Sequence, residues 1–419
     1  MKISPAVRNI LIIWLAWATI MIGFQQWIGT RFDLKRPDKV LQWTETETTS
    51  RSQNDKPYLM EPFLNQHVSW DSEYYLSIAL AGYNDPIARA IPSDFGWEPM
   101  RNRYCDLTIE EDCIALSHAF FPLYSWITGI LIFPFKIFGL SNIATATMAA
   151  VFVSLLGALC GMVSLYAMSK NSLGEEGAVR CAYYFLIFPS GFFLAQVYTE
   201  GVFIGITFAS LAFLTHRKWV WAAVFAALAV WARPGGALLV IPLGVIWFME
   251  RTWEKPSRQQ FIHSGAVFAP VLSYFVWTIT PLAEKFFQVE SLYFGRHLLA
   301  VESSIAAWGT AFQSLLQNNN QTKFYYALEF ASVILAITAC VLLYRERPEL
   351  ALFGLAMTIF AFTSGSAQGM IRYVLVVPAI FWVLARWGKN QAFDRSWTLL
   401  SILLMGVEVM LFSFDFWVA

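Results

Sequence analysis

Long apolar stretches alternate with short polar connections over most of the chain. Uncharged runs of this length are typical of helices that cross a membrane. Only the region between the first run and about residue 118 is polar over a long distance. The pattern predicts an all-α polytopic membrane protein with about eleven membrane-spanning helices. Their predicted ranges are 10–28, 142–169, 181–197, 201–215, 219–232, 235–249, 264–280, 324–344, 350–362, 373–385 and 397–418.

Composition supports this class and excludes others. Of the 419 residues, 57% are hydrophobic and 14% are charged, whereas roughly a quarter of the residues are charged in soluble domains. The net charge is zero, so nothing indicates a nucleic-acid partner. No Gly-rich nucleotide loop and no zinc-type spacing of Cys or His occurs. We therefore expect no nucleotide cofactor, and the sequence leaves a divalent metal open without indicating one.

One apolar segment, 119–140, could be a further span by its length. Its two prolines and Lys136 favour a helix that lies at the membrane interface. With the N-terminus in the cytoplasm, this choice puts 14 Lys and Arg in cytoplasmic connections and 5 in short outer ones. Counting 119–140 as a span would reverse the bias, contrary to the positive-inside rule.

This topology predicts one integral membrane domain over 1–419. It consists of an extracytoplasmic loop with interfacial helices (29–140) and a helical bundle (141–419). We expect 10–28 to be an uncleaved anchor rather than a signal peptide, because no small-residue cleavage site follows it. The expected location is a bacterial plasma membrane with the site outside, or the endoplasmic reticulum membrane in a eukaryotic cell.

The five cysteines fall into two groups. Cys160, Cys181 and Cys340 lie in apolar runs and are expected to be small packing residues. Cys105 and Cys113 lie in the polar loop that we place outside the cytosol. They can pair in an oxidising compartment or remain free thiols, because spacing alone does not fix pairing.

A short helix is predicted in that loop, starting at Trp70-Asp71. Asp71 stands where an N-cap is favoured, and Gly82 suits the residue after the helix end. One interpretation of Asp71 is therefore a cap, and the other is a functional carboxylate. Asp71 and Glu73 do not converge at i, i+2 on a helix, so the pair does not suggest a metal site.

Four predicted spans between 181 and 249 are short. They have about 14–17 residues, or roughly 21–26 Å at 1.5 Å per residue, less than a ~30 Å hydrocarbon core. The hairpin tips Tyr198-Thr199-Glu200 and Arg233-Pro234 would then lie at membrane depth, where charged residues usually mark a site or pathway. The alternative is that Glu200 and Arg233 form an ion pair with only a structural role.

The predicted topology gathers further polar residues at the outer face. Arginine can hold a phosphate bidentately, and a carboxylate can act as general base on a hydroxyl. These residues therefore indicate group transfer from a lipid-linked phosphate. Alternatively, His118 is a structural histidine, and Tyr124 and Tyr198 belong to the interfacial aromatic belt. The candidates are Trp70, Asp71, Glu73, His118, Tyr124, Tyr198, Glu200, Arg233, Arg372 and Tyr373.

Five short motifs occur in the order in which PIG-V-like mannosyltransferases carry them. Residues 70–83 resemble W-D-x-x-x-Y-x-x-I-A-x-x-G-Y, and residues 120–124 read F-F-P-L-Y. Residues 188–200 are similar to F-P-x-x-F-F-x-x-x-x-Y-T-E, and Ala232-Arg233-Pro-Gly and Arg372-Tyr373 follow. The resemblance covers about residues 70–385, although Gln196-Val197 stand where the family often has small residues or proline.

The resemblance implies a fold and a reaction. Eukaryotic members of that family add the second mannose to glycosylphosphatidylinositol from dolichol-phosphate-mannose, and they belong to the GT-C class of membrane glycosyltransferases. By resemblance, the bundle is GT-C-like and Asp71 is the catalytic base. The donor that the resemblance implies is a polyprenyl-phosphate sugar, with mannose as the sugar. The acceptor is a hydroxyl of a glycan, glycolipid or protein.

We select Arg233 and Arg372 for the donor phosphate on chemical grounds, and the remaining candidates are expected to contact substrate. The sequence thus predicts an inverting, polyprenyl-phosphate-dependent mannosyltransferase in contact with membrane lipid. Two other classes stay open at this point. One is a flippase or transporter of lipid-linked sugar, and the other is a non-catalytic scaffold subunit.

Overall fold

The computed structural model describes residues 4–33, 37–49, 51–54, 56–93, 104–108, 112–250, 258–297 and 299–418. Its helices, in chain order, are α1 (Pro5–Arg31), α2 (Thr44–Glu47), α3 (Ser72–Leu80), α4 (Pro122–Phe135), α5 (Asn142–Leu186), α6 (Glu200–Thr215), α7 (Trp219–Ala232), α8 (Val240–Glu250), α9 (Arg258–Thr278), α10 (Pro281–Leu292), α11 (Val301–Ser314), α12 (Asn320–Leu343), α13 (Pro348–Phe362), α14 (Met370–Tyr373), α15 (Pro378–Trp387) and α16 (Gln391–Ser413). Two short strands, β1 (Ala90–Pro92) and β2 (Cys113–Ala115), pair antiparallel with Ile91 opposite Ile114.

Short 3₁₀ helices connect or extend several of these elements. They cover Pro57–Leu59, Asn65–His67, Leu116–Ala119, Lys136–Phe138, Pro189–Ala195, Pro234–Leu239 and Val374–Val376. The core is aromatic and lies where the segment after α5 meets α6, α15 and α16. Its fully buried rings include Phe185, Phe192, Phe193, Phe208, Phe381 and Phe412.

The chain is a predominantly helical polytopic membrane protein. Within the described residues, five helices are long and apolar enough to cross a membrane, namely α1, α5, α9, α12 and α16. Two bent pairs, Pro189–Ala195 with α6 and Met370–Val376 with α15, raise the number to seven if each is one span. Shorter apolar helices cover Pro122–Phe138, Trp219–Ala232, Pro234–Glu250 and Pro348–Phe362. The number eleven stays a prediction.

The predicted span 181–197 is wrong as a single helix. It begins inside α5, which runs on to Leu186 and is followed by a 3₁₀ turn. α5 is itself broken at Gly174, whose φ of 74° and ψ of 174° are not helical. This break falls in the predicted connection between 169 and 181. The 3₁₀ turn then meets α6 at 100°, so the chain reverses inside the bundle at Pro189–Ala195.

The predicted connection between 281 and 323 also differs from the structure. It contains two helices, α10 and α11, which we did not predict. Both are short, and each carries charged or polar residues along the sequence. A search for membrane spans by length and hydropathy therefore does not detect these two helices.

Contacts at one end of the bundle join the connections that we predict to be cytoplasmic. Arg180 Nε lies 3.7 Å from Asp394 Oδ1, and Arg386 Nη2 lies 2.5 Å from Glu346 Oε2. The guanidinium of Arg347 donates to Thr215 Oγ1 at 3.0 Å. Such pairing places these connections together at one end of the bundle, and the compartment that this end faces stays a prediction. Of the cations counted for the charge bias, Lys2, Arg251 and Lys255 lie outside the described residues.

A disulfide joins Cys105 to Cys113, the first residue of β2. Cys105 also forms a bridge with Ala90 in β1. Disulfides persist in oxidising compartments, and the extracytoplasmic position of the loop stays a prediction. Cys181 and Cys340 are buried, in agreement with a packing role, and Cys160 is partly buried.

We predict that the two ends of the bundle face opposite compartments. Lys39 and Lys389 are exposed at the two ends, so each can be replaced by cysteine as a reporter. In intact cells or sealed right-side-out vesicles, a membrane-impermeant maleimide should label Lys39→Cys without permeabilisation and Lys389→Cys only after it. Labelling in the reverse order would contradict the topology, and the unsubstituted protein controls for Cys160.

Candidate functional site

Asp71 lies at the start of the predicted loop helix, and its carboxylate is free of a capping role. α3 begins directly after Asp71, and Gly82 follows its end at φ +86°, so the predicted helix and its end are confirmed. The side chain of Asp71 makes no capping hydrogen bond. The interpretation of Asp71 as a cap alone is therefore wrong. About a quarter of its side chain is exposed, at 28%.

The backbone at Asp71 is held by a buried tyrosine. The hydroxyl of Tyr198 accepts from the Asp71 N–H at 3.3 Å and donates to Ser69 O at 3.2 Å. Between them, Trp70 has φ +51°, a left-handed conformation that is uncommon for a bulky residue. Tyr198 is 2% exposed, so it is not an interfacial belt residue. Its position fixes the turn that presents Asp71.

Glu200 joins the two arginines that we selected from the sequence. Its Oε1 pairs with Arg233 Nη2 and lies 3.3 Å from Arg372 Nε. Arg372 Nη1 reaches Asp71 Oδ2 at 3.4 Å, and Arg233 Nε donates to Thr199 Oγ1 at 2.8 Å. Four charged residues from four separate segments thus form one network. The predicted pairing of Glu200 with Arg233 is present, but it is one part of this network.

Close backbone packing positions Glu200. α6 crosses α5 at small residues, so a Cβ on Gly201 would lie 2.2 Å from Ser154 O. Only glycine permits this approach. The hydroxyl of Ser154 donates to Gln196 O at 2.7 Å and to Tyr198 O at 3.1 Å. The 3₁₀ segment and the start of α6 are therefore fixed against α5, directly beside Asp71.

Aromatic rings surround the guanidinium groups. The Arg372 Cζ lies 5.2 Å from the ring centre of Tyr373 and 5.4 Å from those of Tyr198 and Phe193. The Arg233 Cζ lies 5.8 Å from the Tyr373 ring. Arg372 Nη2 also donates to the Tyr373 hydroxyl at 3.3 Å. These contacts are within the range of cation–π interactions, and they hold both arginines in fixed orientations.

A third arginine, Arg296, lies near this network and was missed as a site residue in the sequence. Its pKa is raised, chiefly by the phenol of Tyr373, with Glu290 and Asp71 contributing and burial opposing. No carboxylate of the described residues lies within ion-pair distance of its guanidinium. The sequence signal was only a cation in a predicted outer connection, which we counted for topology.

Glu290 accompanies Arg296. Its carbonyl accepts from the Arg296 N–H at 2.9 Å. Burial raises the pKa of the Glu290 carboxyl to about 7, with Arg296 lowering it and Asp71 raising it. The raised pKa favours the neutral form of Glu290 more than in a free carboxyl. This lowers the negative charge beside the three arginines, which is favourable for an anionic ligand.

Trp70 and Glu73 face away from this network. Trp70 Nε1 donates to Phe416 O at 3.2 Å, and the ring contacts Trp43 and Trp417 edge-on. Burial raises the pKa of Glu73 to about 7, with Lys56 and Arg89 opposing the shift. The Arg89 Nε lies 4.0 Å from Glu73 Oε1. Neither side chain contacts the Asp71 carboxylate.

His118 and Tyr124 have structural contacts. The Nδ1 of His118 lies 3.1 Å from Ala115 O, and burial lowers the pKa of His118 to about 4, so the ring is neutral at pH 7. The Tyr124 hydroxyl donates to Ala150 O at 3.0 Å and contacts Ser154 Oγ at 3.1 Å. Tyr124 thus contacts Ser154, which in turn holds the backbone of Tyr198. The structural alternative fits His118 best.

Six of the ten candidates therefore meet in one network, which we define as the Asp71 site: Asp71, Tyr198, Glu200, Arg233, Arg372 and Tyr373. Among the described residues, no three His, Cys, Asp or Glu side chains are grouped to hold a metal ion. The arrangement combines a partly exposed carboxylate with fixed guanidinium groups. Such a set can hold an anion and accept a proton within a few ångströms of it.

Comparisons with known proteins give weak likenesses. Neither a protein-family model nor a curated protein matches the sequence. ArnT from Cupriavidus metallidurans, bound to undecaprenyl phosphate, is similar over 83% of this chain and 72% of its own, with 15% identity and a TM-score of 0.45. The apo oligosaccharyltransferase of Archaeoglobus fulgidus is similar over 98% of this chain, with 12% identity and a TM-score of 0.45.

A further structure of that oligosaccharyltransferase, AglB with an inhibitory peptide and a dolichol-phosphate, has 13% identity and a TM-score of 0.39. The present chain spans 55–56% of the oligosaccharyltransferase's length. At TM-scores below 0.5, these likenesses establish neither the ligand nor the activity of this chain.

We predict that Glu200 stabilises the folded protein strongly. In Glu200→Gln, two buried guanidinium groups lose their shared anion, and removing one partner of a buried ion pair costs about 3–5 kcal/mol. The midpoint of thermal unfolding in detergent should fall clearly. The matched control is Glu250→Gln, which breaks the half-exposed pair with Arg217 and should cost about 1 kcal/mol or less. Equal midpoints for the two variants would contradict this role.

Proposed function

We propose that the chain is an inverting glycosyltransferase that uses a polyprenyl-phosphate-linked sugar. One observation carries the proposal: the Asp71 carboxylate lies 3.4 Å from Arg372, which shares Glu200 with Arg233. A carboxylate that can act as a general base is thus adjacent to two guanidinium groups that can bind a phosphate. A scaffold subunit has no need of this combination.

The arginines would bind the donor phosphate. Arg233 and Arg372 are already oriented by Glu200 and Tyr373, so little side-chain freedom is lost on binding. Arg296 would add a cation that is not engaged in an ion pair within the described residues. Together these residues would stabilise the negative charge that grows on the phosphate as it leaves.

Donor binding would also release the base. In the structure, Arg372 Nη1 pairs with Asp71 Oδ2, so one oxygen of the carboxylate is already engaged. A bound phosphate competes for Arg372 and frees Asp71. The acceptor hydroxyl then gives its proton to Asp71 as its oxygen attacks the anomeric carbon. The bond from that carbon to the phosphate oxygen breaks, its electron pair leaves with the lipid phosphate, and the configuration inverts.

The enzyme class and the transferred sugar are assigned from the sequence resemblance. Motifs that carry Asp71, Tyr198, Glu200, Arg233 and Arg372 resemble those of PIG-V-like mannosyltransferases, which supports a GT-C-like enzyme and mannose as the transferred sugar. The acceptor is a hydroxyl of a glycan, glycolipid or protein. The disulfide between Cys105 and Cys113 supports a site on the extracytoplasmic side.

We predict that Asp71→Asn abolishes sugar transfer and leaves the fold intact, because the amide cannot accept the proton. The assay is transfer by purified protein in lipid, from polyprenyl-phosphate-mannose to a panel of hydroxyl acceptors. Glu73→Gln is the matched control, since Glu73 lies two residues away on the other side of α3 and should keep most of the activity.

Normal turnover by Asp71→Asn would contradict the role of Asp71. Donor binding without transfer or hydrolysis in any variant, with all acceptors, would favour a transporter. Flipping of the labelled lipid in sealed vesicles would then be the next measurement.

We predict that Arg372→Ala, Arg233→Ala and Arg296→Ala each weaken donor use. A hydrogen bond to a charged group contributes about 1.5–3 kcal/mol, so kcat/KM for the donor should fall roughly 10- to 100-fold. Arg386→Ala, which breaks an ion pair at the other end of the bundle, is the control and should change kcat/KM little. A normal kcat/KM in all three variants would exclude this phosphate site.

A further inference from the structure

Glu329 is a buried acid on a membrane-spanning helix that the reaction described above does not use. It lies in α12 and is 0% exposed. Its Oε1 accepts from the Gly369 N–H at 2.6 Å, and its Oε2 accepts from the Ile371 N–H at 2.9 Å. Both carboxylate oxygens therefore bind the backbone at the start of α14, the short helix that carries Arg372.

The start of α14 has no cap of its own. Its N-cap is Gly369, which has no side chain and a φ of +77°. The first N–H groups of a helix need an acceptor from outside the helix, and they are costly to bury without one. Glu329 supplies both acceptors from a neighbouring helix. A carboxylate suits the task because it has two oxygens and favours the N-terminal end of a helix dipole.

Tyr325, one turn before Glu329, extends the same contact. Its hydroxyl lies 3.4 Å from the Gly369 nitrogen, and it accepts from Trp417 Nε1 at 3.1 Å. The Trp417 ring packs edge-on against Trp70 at 5.1 Å between ring centres, and Trp70 precedes Asp71. One face of α12 therefore contacts the segment that carries Arg372 and, through Trp417, the segment that carries Asp71.

We propose that Glu329 is the residue that positions Arg372 in the Asp71 site. It fixes the backbone at Gly369 and Ile371, and this sets the place of the Arg372 guanidinium between Asp71 and Glu200. Glu329 touches neither substrate nor the reacting atoms. Its effect on transfer rests on the proposed function, whereas its effect on the backbone does not.

The direct test is hydrogen exchange of the segment 369–377 in the full-length protein. Glu329→Gln keeps the size of the side chain but turns an amide NH₂ toward one of the two backbone N–H groups. Peptides that contain the Gly369 and Ile371 amides should exchange at least ~10-fold faster than in the wild type, since a protecting hydrogen bond is lost.

The control is Glu349→Gln. Glu349 is also buried, at 5% exposed, and it accepts from Arg347 Nε at 2.7 Å at the other end of the bundle. This variant should leave exchange in 369–377 unchanged. The comparison separates a local effect on α14 from a general loosening of the bundle after a buried carboxylate is lost.

The second readout is a double-mutant cycle in the transfer assay, with Arg372→Lys as the partner. Glu329→Gln alone should lower kcat/KM for the donor roughly 10-fold. Combined with Arg372→Lys, it should cause little additional loss, because residues that act through one contact are not additive. Losses that multiply independently would contradict the proposal, and so would unchanged exchange in 369–377. If the wild type transfers no sugar, the proposed function fails while the exchange result still decides the role of Glu329.

Discussion

The Glu200 carboxylate is the centre on which the candidate site depends. It is 1% exposed, and it brings together two guanidinium groups that would otherwise repel each other inside a membrane protein. A lone charge at such depth is costly, whereas a paired and hydrogen-bonded set is tolerated. Arg372 extends this set to Asp71. The site therefore has fixed cations before any ligand arrives.

Helix breaks and short helices allow these charged groups to meet. α7 ends at Ala232, directly before Arg233, and α6 starts at Glu200. α14 with the following 3₁₀ turn makes an 83° bend with α15. Irregular backbone at membrane depth is tolerated where it is enclosed by protein or lines a cavity. Glycine contacts between α5 and α6 draw the Glu200 segment close.

The sequence was sufficient to predict features that depend on neighbouring residues along the chain. The helix after Asp71, its end at Gly82, and the charged tips at Glu200 and Arg233 follow from capping, helix length and the cost of buried charge. The side that a residue faces is harder to predict. Asp71 and Glu73 are two residues apart, so on a helix they point about 200° apart. The structure accordingly turns Glu73 toward Lys56 and Arg89.

Long-range contacts were beyond the sequence pattern. Arg296 approaches the site only because α10 and α11 fold the 281–323 connection back onto the bundle, and neither helix has the hydropathy of a span. Glu329 lies within an apolar helix, and its partners are backbone N–H groups 40 and 42 residues away. Because every residue except proline has a backbone N–H, the sequence does not show that these two are the partners. His118 stands in a motif and yet has a structural contact. A sequence motif therefore indicates which segments form the site, but it does not give the function of each residue within the motif.

The most direct measurement is a cryo-electron microscopy structure of the full-length protein with a polyprenyl phosphate, the leaving group of the proposed reaction. We expect the phosphate to lie against the guanidinium groups of Arg233, Arg372 and Arg296, with Asp71 released from Arg372 and accessible to the acceptor. A phosphate bound elsewhere, with the pair of Asp71 and Arg372 unchanged, would contradict it.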